Sequence, residues 1–140
     1  MRNASILVVK LGGLATEAIK NMVLAGIGRL VVVDGENVSE EDLGAGFFFR
    51  DDDVGQKVGM STIFANIASK PVQRLIAAKP RIESLNPLVS VEGFTDVTIN
   101  DKQFDNIISS VDLVCVTDLD RDSLVCPSPS LPFSSQPYSF

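Results

Sequence analysis

Two adjacent glycines, Gly12 and Gly13, close an apolar run and open a helical pattern, and an acid, Asp34, ends a second apolar run about twenty residues later. Residues of these types in this order can hold a phosphorylated ligand: glycines let the backbone approach phosphate at a helix N-terminus, and the acid accepts hydrogen bonds from sugar hydroxyls. The Gly-x-Gly-x-x-Gly offsets, however, fall on Lys10, Gly12 and Ala15, so only the second glycine stands where that chemistry wants it. Two readings stay open for the turn, phosphate binding or close helix packing alone. Two stay open for Asp34 as well, a ribose acceptor or a solvated turn acid before Gly35. Asp118 and Asp120 follow another apolar run, where a strand-end carboxylate could hold a metal or do nothing. Asp51, Asp52 and Asp53 are consecutive, point in different directions, and suit a solvated loop better than a magnesium site. With no histidine and no Cys-x-x-Cys pair, Cys115 and Cys126 form neither a zinc site nor a Cys-His nucleophile, and no catalytic residue and no metal site are assigned.

The elements that must position these residues are legible in the hydrophobic pattern. Residues 6–9 and 30–33 are short apolar runs rich in β-branched residues, the pattern of strands buried on both faces of a parallel sheet. Between them Leu14, Ala18, Ile19, Met22 and Val23 recur at helical spacing over residues 14–25, with Gly26 and Gly28 as the stop. Such a βαβ unit crosses over right-handed, giving an α/β, Rossmann-like beginning. Beyond Asp34 a polar excursion over the sheet's carboxyl edge contains Phe47, Phe48 and Phe49, either core or an apolar contact for another subunit. Helical segments follow, around Ile63, Phe64 and Ile67 and again around Val72, Leu75 and Ile76, interrupted near Pro71. Strands are expected at 88–94 and 111–116, with a short helix carrying Phe104, Ile107 and Ile108 between them. Residues 126–140, rich in serine and proline without periodicity, are expected to form a disordered tail.

The chain has 140 residues, one domain's worth. A net charge of -6 and a pI near 4.5 oppose binding to a nucleic-acid backbone, and no apolar run is long enough to span a membrane. Without a signal-peptide layout at Met1-Arg2-Asn3, an intracellular, soluble protein is expected.

The residues from Ile6 to Gly55, with their Gly-Gly-Leu turn, Lys20-Asn21 and Leu24-Ala25-Gly26 helix end, Asp34, the 38–44 segment Val-Ser-Glu-Glu-Asp-Leu-Gly and Val54-Gly55-Gln56-Lys57, resemble the adenylation fold of the enzymes that activate ubiquitin-like proteins and their bacterial ThiF and MoeB relatives. Leu85-Asn86-Pro87 and Val111-Asp112-Leu113-Val114 continue the likeness in order. The resemblance implies a ThiF-type fold, a mainly parallel sheet flanked by helices, over residues 1–125 and incomplete at both ends. Within the family the chain looks most like the smaller, non-cysteine subunits of SUMO-activating heterodimers, with the subunits serving NEDD8 as the nearest competitor. Catalytic members carry Asn-Leu-x-Arg-Gln where this chain has Asp42, Leu43, Gly44, Ala45 and Gly46, so polar groups that hold ATP are missing. Lys57 matches their phosphate-contacting lysine and Asp34 their ribose acid, leaving Gly12, Gly13, Asp34 and Lys57 as the vestige of a nucleotide site.

The role implied is therefore a structural or regulatory subunit, or fragment of one, beside a larger catalytic subunit. That partner would bind most of the ATP and Mg2+, adenylate a SUMO-type modifier and carry the accepting cysteine, with this chain binding no cofactor alone. Nuclear and cytoplasmic residence follows from the same likeness. The crossover exceeds the family spacing by about fifteen residues, which marks 58–76 as a segment foreign to the family. An independent ATP- or NAD-binding enzyme and an inert truncated product with an open sheet edge are the competing expectations.

Overall fold

A computed structural model describes residues 2–54, 72–97 and 101–118. The chain forms β1 (Ser5–Val9), α1 (Gly13–Leu24), β2 (Arg29–Val33), α2 (Glu40–Ala45), a 3-10 turn (Asp51–Asp53), α3 (Arg74–Leu85), β3 (Ser90–Phe94), α4 (Lys102–Ser109) and β4 (Leu113–Val116). The strands make one parallel sheet in the order β3-β2-β1-β4. An α/β, Rossmann-like architecture is thus what the apolar runs encode.

The period of two along each strand divides the core. Ile6, Val8, Leu30, Val32 and Val91 face α1 and α3, which bring Ala15, Ile19 and Val23 and then Leu75, Ala78 and Ile82. Leu7, Val9, Val31 and Val33 face the opposite layer, where Phe104 and Ile107 of α4 cover them. Both faces of β1 and β2 are therefore apolar, as a parallel sheet requires, and each fully buried leucine or isoleucine contributes roughly 2 kcal/mol. After β3 the chain returns across the sheet to place β4 beside β1. The strand order consequently reverses between β1 and β4, and their carboxyl ends flank the crevice where α/β sheets bind ligands.

Helix α1 stops where its glycine stands. Gly26 takes φ +76°, and the Gly26 and Ile27 N–H groups donate back to the Val23 and Met22 carbonyls, closing a Schellman turn. The polar excursion after Asp34 is in part helical: Ser39 caps α2, its backbone N–H and Oγ both donating to Asp42 Oδ2 at 2.8 and 2.9 Å. The aromatic triplet divides between its two readings, since Phe48 and Phe49 are core whereas Phe47 is 55% exposed. Asp51 and Asp52 are exposed as a loop reading requires, but Asp53 is not simply solvated. It pairs with Arg81, which also donates to the Phe48 carbonyl and so clamps the loop onto α3.

The segment around Ile63, Phe64 and Ile67, the break at Pro71, and the tail 126–140 lie outside the described residues. Of the stretch 58–76, residues 72–76 are described. The Val38 N–H donates to the Val72 carbonyl, Gln73 bridges Asn37, and Leu75 enters the core. Pro80 sits inside α3, where it removes one intrahelical donor.

Candidate functional site

The carboxyl ends of β1, β2 and β4 converge on the glycine turn. Lys10 N–H donates to the Val33 carbonyl, Thr117 N–H to Val9, and Thr117 Oγ1 to the Lys10 carbonyl. Two residues with side chains take left-handed backbone here, Lys10 at φ 66° and Asp118 at φ 57°. Such conformations cost on the order of 1–2 kcal/mol each for L-residues, and they gather at functional sites. Lys10 is the residue that stands in place of the first glycine, so its substitution is accommodated at a conformational cost.

Asp34 is 3% exposed, which rules out the solvated turn acid. Its Oδ2 accepts the Leu11 N–H at 2.6 Å and its Oδ1 the Glu36 N–H at 2.7 Å. The carboxylate thus ties the glycine turn to the loop after β2. Burial pushes its pKa up, against the two backbone donors and Arg74, which pull it down. Beside it lies a chain of charges. Lys10 Nζ sits 3.1 Å from Glu36 Oε1, Arg74 NH1 donates to Glu36 Oε2 at 2.6 Å, and Arg74 Nε donates to Asp42 Oδ2 at 2.8 Å. The Lys10 ammonium holds Glu36 below the usual carboxylate range. Burial pushes Asp42 up, but the Arg74 and Ser39 donors outweigh it and leave Asp42 lowered too.

Glu36 and Arg74 escape a reading of the sequence because their partners lie 38 residues apart. For Arg74 the available signal is only a cation opening a helix.

Above the turn the space that glycine leaves is already taken. A Cβ at Gly12 would collide with the Asp118 carboxylate, and one at Gly13 would stand 2.7 Å from the Ala45 Cβ of α2. In this arrangement a phosphate reaches the turn only once the Asp118 side chain moves off Gly12. Each Asp34 oxygen accepts one backbone donor, both cations are paired with carboxylates, and the Ala45 methyl lies beside Gly13. Lys57 and Asp120 lie outside the described residues, and among the described ones no three ligating side chains gather to hold a metal. Cys115, on β4, is half-buried.

The two glycines should respond differently to a methyl group. Gly13→Ala is expected to cost about 1–2 kcal/mol, because the α2 backbone beside it must move. Gly12→Ala should cost much less, since Asp118 is an exposed side chain that can swing away and Gly12 has ordinary backbone angles. Thermal denaturation of both variants checks this; equal losses would remove the packing role assigned to Gly13.

A family model described as ThiF family matches residues 1–121. Among curated proteins, the DNA damage tolerance protein RHC31 of Saccharomyces cerevisiae is 34% identical over 126 residues, and SUMO-activating enzyme subunit 1 of Xenopus tropicalis is 36% identical over 125. Each match takes in 89% of this chain and 31% of the relative. The human SUMO-activating enzyme subunit 1 is 33% identical over the same shares. The chain thus spans about a third of the length of these relatives. Among solved structures, Escherichia coli MccB with succinimide superposes at a TM-score of 0.66 and 20% identity over 88% of this chain and 32% of that one. PaaA does so at 0.64 and 22%, over 82% and 31%. At these identities the two structures speak for the fold.

Proposed function

The chain belongs to the ThiF family, and from that premise we propose that it serves as part of the smaller, non-catalytic subunit of a SUMO-activating heterodimer. The observation that carries this reading is the self-satisfied site: Asp34, Lys10 and Arg74 spend their hydrogen bonds and charges within the chain. Similarity to the SUMO-activating enzyme subunits 1 supports the modifier. Gly12, Gly13, Asp34 and Lys57 are then the vestige of a nucleotide site whose ligand the scaffold no longer needs. ATP and Mg2+, the adenylation of the modifier's carboxyl terminus and the transfer to cysteine belong to the larger subunit, and this chain contributes an ordered face to it. Among the described residues no helix is long and apolar enough to cross a membrane, and we place the chain in the nucleus and cytoplasm with its partner.

Co-expression with the larger catalytic subunit tests the reading. The two chains should purify together and form an ATP-dependent thioester with the modifier, whereas absence of a complex would overturn the assignment. The position of Asp34 at the carboxyl end of β2 favours one rival, an independent ATP- or NAD-binding enzyme. Calorimetric titration of the isolated chain separates the two, since tight nucleotide binding without a partner would establish the rival.

A further inference from the structure

Helix α2 is held by charge where its neighbours are held by apolar burial. Of its six residues only Asp42 is buried, Leu43 is half-buried against the core, and Glu40, Glu41, Gly44 and Ala45 are exposed. A helix this short does not sustain itself, and Gly44 inside it weakens it further. The contact that fastens it comes from α3: Arg74 Nε donates to Asp42 Oδ2 at 2.8 Å, and the same oxygen accepts the two Ser39 donors of the cap. On either side of α2 the chain is anchored more firmly. Val38 is buried and its N–H donates to the Val72 carbonyl, while Phe48 and Phe49 are core and Arg81 holds both the Phe48 carbonyl and Asp53. The weakly fastened stretch therefore runs over residues 39–47, between two fixed points.

That stretch lies on the glycine turn. Ala45, the last residue of α2, stands so near Gly13 that a Cβ placed there would be 2.7 Å from the Ala45 Cβ and 3.1 Å from its carbonyl oxygen. Segments with few buried apolar contacts open at lower free energy than the core they rest on. We propose that α2 is a lid over Gly13, latched by Arg74 through Asp42, which opens and closes while the sheet stays folded. Access to Gly13 is then governed by the latch and not by the stability of the domain. Lid and latch both belong to this chain, so the device does not depend on the partner proposed above.

Amide hydrogen exchange of the full chain, read residue by residue by NMR under conditions where opening is a rapid pre-equilibrium, tests the lid. The Gly46 N–H, which donates to the Asp42 carbonyl at 2.7 Å, reports on α2, and the Val31 and Val32 N–H groups of the interior strand β2 report on the body. Gly46 should be protected at least about a hundredfold less than β2. Asp42→Asn, which breaks the latch, should speed Gly46 exchange at least about tenfold, and Gly13→Ala, which presses on Ala45, should speed it about tenfold. Ile107→Val, in the layer on the other face of the sheet, should speed β2 exchange several-fold and leave Gly46 unchanged, because it destabilises the closed and open forms alike. If Gly46 and β2 share one protection factor and Ile107→Val speeds both, α2 opens only with the whole domain and there is no lid. Gly46 exchange untouched by Asp42→Asn would overturn the latch, and exchange untouched by Gly13→Ala would overturn the covering of the turn. A chain without protected amides in β2 would also overturn the proposal, since a lid needs a folded body to close on.

Discussion

Replacing Arg74 by methionine should lower the unfolding free energy by about 3 kcal/mol, because it strands a buried acid and uncouples two loops at once. Asp42 is itself buried and receives the Arg74 guanidinium at 2.8 Å; its remaining donors come from Ser39 of the same cap. Glu36 would keep Lys10 but lose its shorter contact. The backbone link from the Arg74 N–H to the Glu36 carbonyl survives the substitution, so α3 should remain helical. Methionine keeps the length and flexibility of the arginine stem, which assigns the loss to charge and hydrogen bonding. Chemical denaturation measures the difference, and the double variant with Asp42→Asn should lose less than the sum of the singles.

The pH profile gives a second readout of the same site. Glu36 and Asp42 titrate in the folded chain below their unfolded values, so the stability they contribute is present above the unfolded carboxylate range and is lost as pH falls through the lowered folded values. Arg74→Met removes much of that contribution, and the two denaturation curves should converge on acidification. Parallel curves would show that Arg74 does not act through these acids.

Asp34→Ala should cost about 3 kcal/mol, since the Leu11 and Glu36 N–H groups both lose their acceptor and Leu11 is fully buried. Asp34→Asn should fall between, one amide oxygen replacing one of the two acceptors while the NH2 group faces a donor. The order unaltered, asparagine, alanine in melting temperature is the expected result. If both variants melt like the unaltered chain, Asp34 does not hold the turn together. Its sign with pH is opposite to that of Glu36 and Asp42. Burial raises the folded value of Asp34 above the unfolded one, so protonation relieves a cost, and losing this group should steepen the acid limb.

What the sequence made legible follows from which forces are local. Residues 6–9 and 30–33 announce buried strands because each run is apolar at every position, and they form β1 and β2 with one further residue at the start of each. Gly26 announces the end of α1 because a left-handed residue is needed there and glycine supplies it without strain. Helix α2 was readable in principle, from Ser39 and Asp42 at cap spacing, yet its polar composition suggests a loop. Leu88 looks like the start of a strand by residue type, but it lies exposed before β3, whose pairing begins at Ser90 with Arg29. At the site, Asp34 was visible because position and residue type agree. The Lys10, Glu36, Arg74 and Asp42 chain was not, because charges paired across dozens of residues leave no period in the sequence. The division of Phe47 from Phe48 and Phe49 likewise depends on which way one turn faces.

The strand beside β1 has a consequence for what can be added to the sheet. Among the described residues β4 is bonded on one side only, and Leu113 and Val114 on it are exposed. Any strand that pairs with the far side of β4, from the same polypeptide or from another, would cover the apolar side chains that Leu113 and Val114 present there.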